Sequence, residues 1–236
     1  YIYLISNLEM STPVLVLIVL NILISYKGFS ESHFFERYKF SVLALKQQQY
    51  FRLLSSGFLH VDTTHLIFNM FALYMFGDVV IQITGIIFFT VIYIISLLAG
   101  NYFTYINHKD ELNYSAVGAS GAVSGIVYSS ILFFPEMQLV LIFFPIPIPG
   151  NVFGILYLLY TLFGMKSRRD KIGHTAHFGG AVSGFAITLL IFPSLIYTQS
   201  SLIILMLIPL IVYLIMKKSG QLTDTSQFKK VKKARY

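Results

Sequence analysis

The sequence predicts an all-α fold, a polytopic bundle of seven transmembrane helices. Three observations carry this. Of 236 residues, 56% are hydrophobic and only 11% are charged, where a soluble domain carries about 25% charged residues. The apolar residues fall in runs long enough to cross a bilayer. The charged residues collect between those runs and in the C-terminal tail.

Residues 1–11 read as a short N-terminal segment without a cleavable leader. Span 1 is expected over Thr12–Ser25. The stretch that follows, to Arg52, holds Glu31, Glu36, Arg37 and Lys39 and is too charged to cross. Its aromatics Phe34, Phe35, Tyr38 and Phe40 suit an amphipathic segment lying in the membrane interface. Span 2 is expected over Thr64–Ile83 and span 3 over Gly85–Tyr105, with a short charged loop at Lys109–Asn113. Span 4 follows over Val117–Phe134. In Val140–Pro149, prolines alternate at 145, 147 and 149, so this apolar stretch is an extended connection packed against protein. Span 5 is expected over Val152–Met165, then a basic loop over Lys166–Lys171. Spans 6 and 7 are expected over His174–Phe192 and Ser201–Met216. The tail 217–236 is basic and predicted to be disordered.

Several function classes fall away. There is no cysteine, so disulfides and thiolate metal sites are excluded. The net charge of +7 sits beside spans and in the tail, which fits a membrane protein better than a nucleic-acid partner. No tryptophan is present, so an interfacial aromatic belt is built from tyrosine. No cofactor and no metal are expected. His60, His65, His174 and His177 could hold zinc, but no His-Glu-x-x-His occurs to supply a base.

Three clusters carry chemistry. Gly118-Ala119-Ser120-Gly121 opens span 4. A helix start offers unpaired N–H groups and a positive dipole end, which can hold an oxyanion beside Ser120. The flanking glycines let a substrate backbone approach. His177 lies near the start of span 6, and a histidine inside a span is costly unless it acts. Spans 4 and 6 share the pentapeptide Gly-Ala-Val-Ser-Gly, at 121–125 and 180–184. Glycines four apart let membrane helices pack backbone to backbone. If the two copies face each other in register, Ser120 and His177 are offset by two residues, roughly 3 Å along the axis. A Ser–His hydrogen bond then fits, with no Asp or Glu in either span to make a triad. His65 and Asn69 are four apart on one face of span 2, and both can donate to an oxyanion. His60 lies a turn or more before them, placed to orient the loop or the other histidine.

On these residues the sequence resembles the rhomboid family of intramembrane serine proteases. The family pattern is His-x4-His-x3-Asn in the second helix, Gly-x-Ser-Gly opening the fourth and Ala-His-x-Gly-Gly in the sixth. Here these read His60, His65 and Asn69; Gly118-Ala119-Ser120-Gly121; and Ala176-His177-Phe178-Gly179-Gly180. Phe51-Arg52 is similar to an aromatic–arginine pair before the second helix. The resemblance implies a six-helix core over 12–192, with the serine at the bottom of a water-filled cavity. It implies Ser120 as nucleophile and His177 as base. It implies His65, Asn69 and the Ser120 backbone N–H as oxyanion hole, supported by His60, Gly118, Gly121 and Gly180. Residues 193–216 resemble the extra C-terminal helix of the six-plus-one subgroup. The substrates implied are single-span membrane proteins, cut near the membrane surface at a small residue. Two departures stand out. Some relatives have an aromatic residue one turn after the serine, where this chain has Ser124, and some have a glutamate late in the second helix, where it has Ile81 and Gln82. The alternatives are a catalytically inactive, client-binding relative or a transporter. None of these motifs sets the oligomeric state.

The expected location is a multi-pass position in the plasma (inner) membrane. With seven spans, all 17 Lys and Arg residues fall on the side to which Ser120 and His177 open. The positive-inside rule makes that side cytoplasmic. The resemblance implies an outward-opening site, and that is the orientation expected from sequence.

Overall fold

The structure is a computed structural model that describes residues 10–141, 144–167 and 172–222. Most of the N-terminal segment, part of the basic loop and the tail beyond 222 lie outside the described residues. Among the described residues, four helices are long and apolar enough to cross a membrane: Thr12–Ser30, Thr63–His108, His174–Ile191 and Ser200–Lys218. Two more, Ser120–Phe133 and Gly150–Ser167, complete the bundle.

Thr63–His108 is two spans in one element. Gly85 has φ 76° and ψ 169°, backbone that breaks the helix and that glycine adopts without a Cβ penalty. Residues 86–108 therefore run back beside 63–84. Asn101 shows this: its Nδ2 donates to Leu53 O at 2.7 Å and Ser56 Oγ at 3.2 Å, in the loop before span 2. The seven expected spans are thus present, with shifted ends. Span 1 continues to Ser30 rather than Ser25. Span 4 starts at Ser120 rather than Val117, so the serine is the first helical residue. Span 5 starts at Gly150 rather than Val152. The proline run is extended as expected, but it pairs with its own neighbour. β3 (Gln138–Leu141) and β4 (Phe144–Pro149) form an antiparallel hairpin beyond β1 (Phe40–Ser41) and β2 (Ser115–Ala116).

The segment before span 2 folds into short helices, Ser32–Tyr38, Val42–Lys46 and Arg52–Ser55. Phe40 does not lie in the interface. It is fully buried with Val42 and Leu45 in a small core of its own, closed by Leu53, Tyr105 and Tyr114. Arg52 pins this segment by donating to the backbone carbonyls of Glu36 at 2.8 Å and Lys39 at 2.9 Å. At the opposite end of the bundle, Asp78 is buried and accepts from the Ser11 backbone N–H at 3.0 Å. A carboxylate at the start of span 1 meets the positive end of that helix dipole.

Span 4 is the central element. From Gly121 to Leu132 every residue is buried. Its 14 residues measure about 21 Å at 1.5 Å per residue. A hydrocarbon core is about 30 Å thick. A helix this short does not cross that thickness by itself, and Ser120 stands at its N-terminus, walled in by protein. The packing that surrounds it is unusually close. A Cβ on Gly180 would fall on the backbone of Gly121, within 2.8 Å of its Cα, and one on Gly184 would fall on Gly125. Spans 4 and 6 therefore cross with the two pentapeptides in register. Span 3 joins them through Gly100, where a Cβ would lie 2.7 Å from Ala176 O and 3.1 Å from Gly180 N.

Candidate functional site

The site lies where spans 2, 4, 5 and 6 meet near one end of the bundle. Ser120 and His177 are both half-buried. They stand one residue before Gly121 and three before Gly180, the two glycines that touch. The crossing thus brings them to the same end of the same interface. Ala119, at the N-cap, contributes no side-chain cap. The first N–H groups of span 4 keep the orphan character of any helix start.

Gly118 joins span 2 to this point. Its φ of 135° lies in backbone that side chains rarely adopt. There is no room for one either. A Cβ would lie 2.7 Å from His65 Cε1, 2.9 Å from His65 Nε2 and 3.6 Å from Ser120 Oγ. The His65 ring and the Ser120 hydroxyl therefore flank one small space. Span 2 holds His65 there through Asp62, whose Oδ1 accepts from the His65 backbone N–H at 2.8 Å. Asn69 is buried and donates one amide N–H back to His65 O at 3.2 Å.

His60 is fully buried and contacts both His65 and the turn before Ser120. Its ring meets His65 edge to face at 4.9 Å. Its Nε2 accepts from the Ala119 N–H at 3.5 Å, so it steadies the turn that presents Ser120. Its Nδ1 meets Ser25 Oγ at 2.8 Å. Ser25 Oγ donates to Phe58 O at 3.0 Å, so it accepts from His60, and the proton sits on Nδ1. Burial, with His65 beside it, pushes the His60 pKa down to about 3 against the pull of Asp62. His60 stays neutral in this loop.

Other contacts had no sequence signal. Tyr157 of span 5 places its hydroxyl 2.9 Å from His177 Nδ1, with the rings nearly parallel at 6.2 Å. Ser124 Oγ lies 3.5 Å from the same hydroxyl. A separate cavity of about 230 Å³ lies between spans 3, 5 and 6, lined by His108, Glu111, Tyr114, His174 and Thr175 among others. Its His174 ring is 6.4 Å from that of His177, yet neither Ser120 nor His177 lines it.

A family model described as a rhomboid domain matches residues 47–194. The chain belongs to the rhomboid family. RHOMBOID-like protein 12, mitochondrial, of Arabidopsis thaliana is 28% identical over 71% of this chain and 55% of its own length. Rhomboid protein 1, mitochondrial, of Saccharomyces cerevisiae is 29% identical over 56% of this chain and 39% of its own. YdcA of Bacillus subtilis, a rhomboid by name, is 27% identical over 63% of this chain and 70% of its own. The chain thus spans about half the length, or less, of the two mitochondrial relatives. The rhomboid match ends at residue 194, before span 7, and begins at residue 47, after span 1.

Proposed function

We propose that this rhomboid is an intramembrane serine endopeptidase in which Ser120 attacks the scissile carbonyl and His177 takes its proton. The observation that carries the reading is the in-register crossing of spans 4 and 6. With Gly121 against Gly180 and Gly125 against Gly184, Ser120 and His177 are offset by two residues, roughly 3 Å of helical rise, which supports the pairing. His65, held across Gly118 from Ser120, and the N–H groups opening span 4 supply an oxyanion hole. An amide carries two N–H groups, and Asn69 uses one on its own helix, which leaves a second for the same task. The substrates proposed are single-span membrane proteins whose helix unwinds near a small residue, because an intact helix hides its carbonyls. A reactive-serine probe tests the proposal directly. Wild-type protein should be labelled and Ser120→Ala should not. Equal labelling of both would end the reading.

The oxyanion hole makes a graded prediction. His65→Ala or Asn69→Ala should lower kcat by about 10²–10³-fold, since one donor is worth roughly 3–4 kcal/mol, and backbone donors limit the loss. Cleavage of a model transmembrane substrate measures it. An unchanged rate in the double variant would remove both residues from the mechanism.

Orientation is proposed from charge. The structure gathers loops 1, 3 and 5 at one end: β1 pairs with β2, and Lys166 Nζ donates to Gln221 Oε1 at 2.8 Å. Every described Lys and Arg lies at that end, which is also the end to which the site opens. We infer that this end faces the inside of a plasma (inner) membrane, by the positive-inside rule. This departs from the outward opening that the resemblance implies. The mitochondrial names of two relatives make a mitochondrial membrane the competing location. A cysteine placed between Lys166 and Lys171 in this cysteine-free chain should react with an impermeant thiol reagent only after lysis. Labelling in intact cells would restore the outward site.

A further inference from the structure

We infer that Tyr157 of span 5 is a positioning residue for His177. The inference rests on the Ser–His reading above and goes beyond it. Position 124, one turn after Ser120, is a serine here. Its small side chain leaves the space beside His177 to the ring of Tyr157, which lies nearly parallel to the imidazole, 16° between planes. The ring brings a hydroxyl that a phenylalanine would lack. That hydroxyl touches His177 Nδ1 at 2.9 Å and Ser124 Oγ at 3.5 Å.

The proton order decides what this does. A phenol has one proton to give and lone pairs to receive with. If Tyr157 gives its proton to Ser124 Oγ, it accepts from His177 Nδ1–H. Nε2 is then the unprotonated nitrogen, the one able to take the Ser120 proton. A base oriented by a third group is the general logic of an activated nucleophile. Helices 4 and 6 hold no acid for that place, and the neutral hydroxyl fills it. Tyr157 hydrogen-bonds to His177 and Ser124, so its proposed effect on the reaction passes through His177.

The test uses the full chain in detergent, labelled with ¹⁵N-histidine, with the His177 signals assigned by their loss in His177→Gln. Wild type should show the Nδ1–H tautomer. Tyr157→Phe keeps the ring beside the imidazole and removes the hydroxyl. It should lose the fixed tautomer and lower kcat by about tenfold to a hundredfold, the range of other groups that orient a histidine from behind, with KM unchanged. Ser124→Ala leaves both rings in place and should lower kcat less, in the same direction. An Nε2–H tautomer in the wild type, or a wild-type kcat in Tyr157→Phe, would overturn the Tyr157 inference while Ser120-dependent cleavage still stood. Cleavage that survives Ser120→Ala would instead overturn the protease reading itself.

Discussion

Ser120→Ala and His177→Ala are each expected to lower cleavage of a model transmembrane substrate by about 10⁴-fold or more. In the proposed mechanism the two residues act as a unit, so losing either should cost nearly as much as losing both. Without the hydroxyl there is no acyl intermediate. Without the imidazole the serine keeps its proton and is a poor nucleophile. Neither side chain is among the buried groups that hold the bundle together; both are half-exposed at the site. The variants should therefore remain folded, with thermal transitions close to wild type. A kinetic assay beside a thermal melt separates loss of chemistry from loss of fold. Full activity in either variant would sink the dyad.

Gly180→Leu is expected to inactivate as well, less completely and by a different route. A Cβ at 180 already falls on the Gly121 backbone, and backbone cannot move aside as a flexible side chain can. The remaining leucine atoms force spans 4 and 6 apart by more than an ångström. A 1 Å misplacement of catalytic groups costs about 10²-fold, and overpacking adds roughly 1–3 kcal/mol of instability. Gly100 of span 3 meets the same helix, so span 6 is blocked on that side too. Activity below about 1% of wild type, with a lowered thermal transition, is the expected result. Normal cleavage by Gly180→Leu would mean that the two helices do not set the site through this face. Gly173→Ala is the control, because its Cβ would lie 3.9 Å from the nearest atom, Ala176 Cβ, in ordinary contact.

The two glycine-rich motifs illustrate how much of this molecule is legible locally. Long apolar runs name the spans because a bilayer demands them, whatever the partners. The repeated Gly-Ala-Val-Ser-Gly names the crossing because only glycine permits backbone contact. Gly85 ends one span and starts the next for a local reason, its backbone conformation. Even the presence of His65, Asn69, Ser120 and His177 on the right spans is a property of spacing.

What spacing leaves open is which side chain reaches which across the bundle. Phe40 reads as interfacial from its charged neighbours, yet it buries in a core completed by Tyr105 and Tyr114, more than sixty residues away. The residues 117–119 continue an apolar helical run, yet they are held outside the helix. Gly118 N–H donates to Ser56 O at 3.0 Å and His60 grips the Ala119 N–H. Tyr157 is one of 16 tyrosines in the chain and carries no motif. The sequence by itself determined the spans, the basic end and the glycine crossing of spans 4 and 6, because bilayer burial and backbone contact act through local composition. Only the tertiary structure decided that Tyr157 meets His177, that His60 steadies the Ser120 turn and that Gly100 closes the crossing, because hydrogen bonds and close packing between distant segments depend on distances that no local pattern encodes.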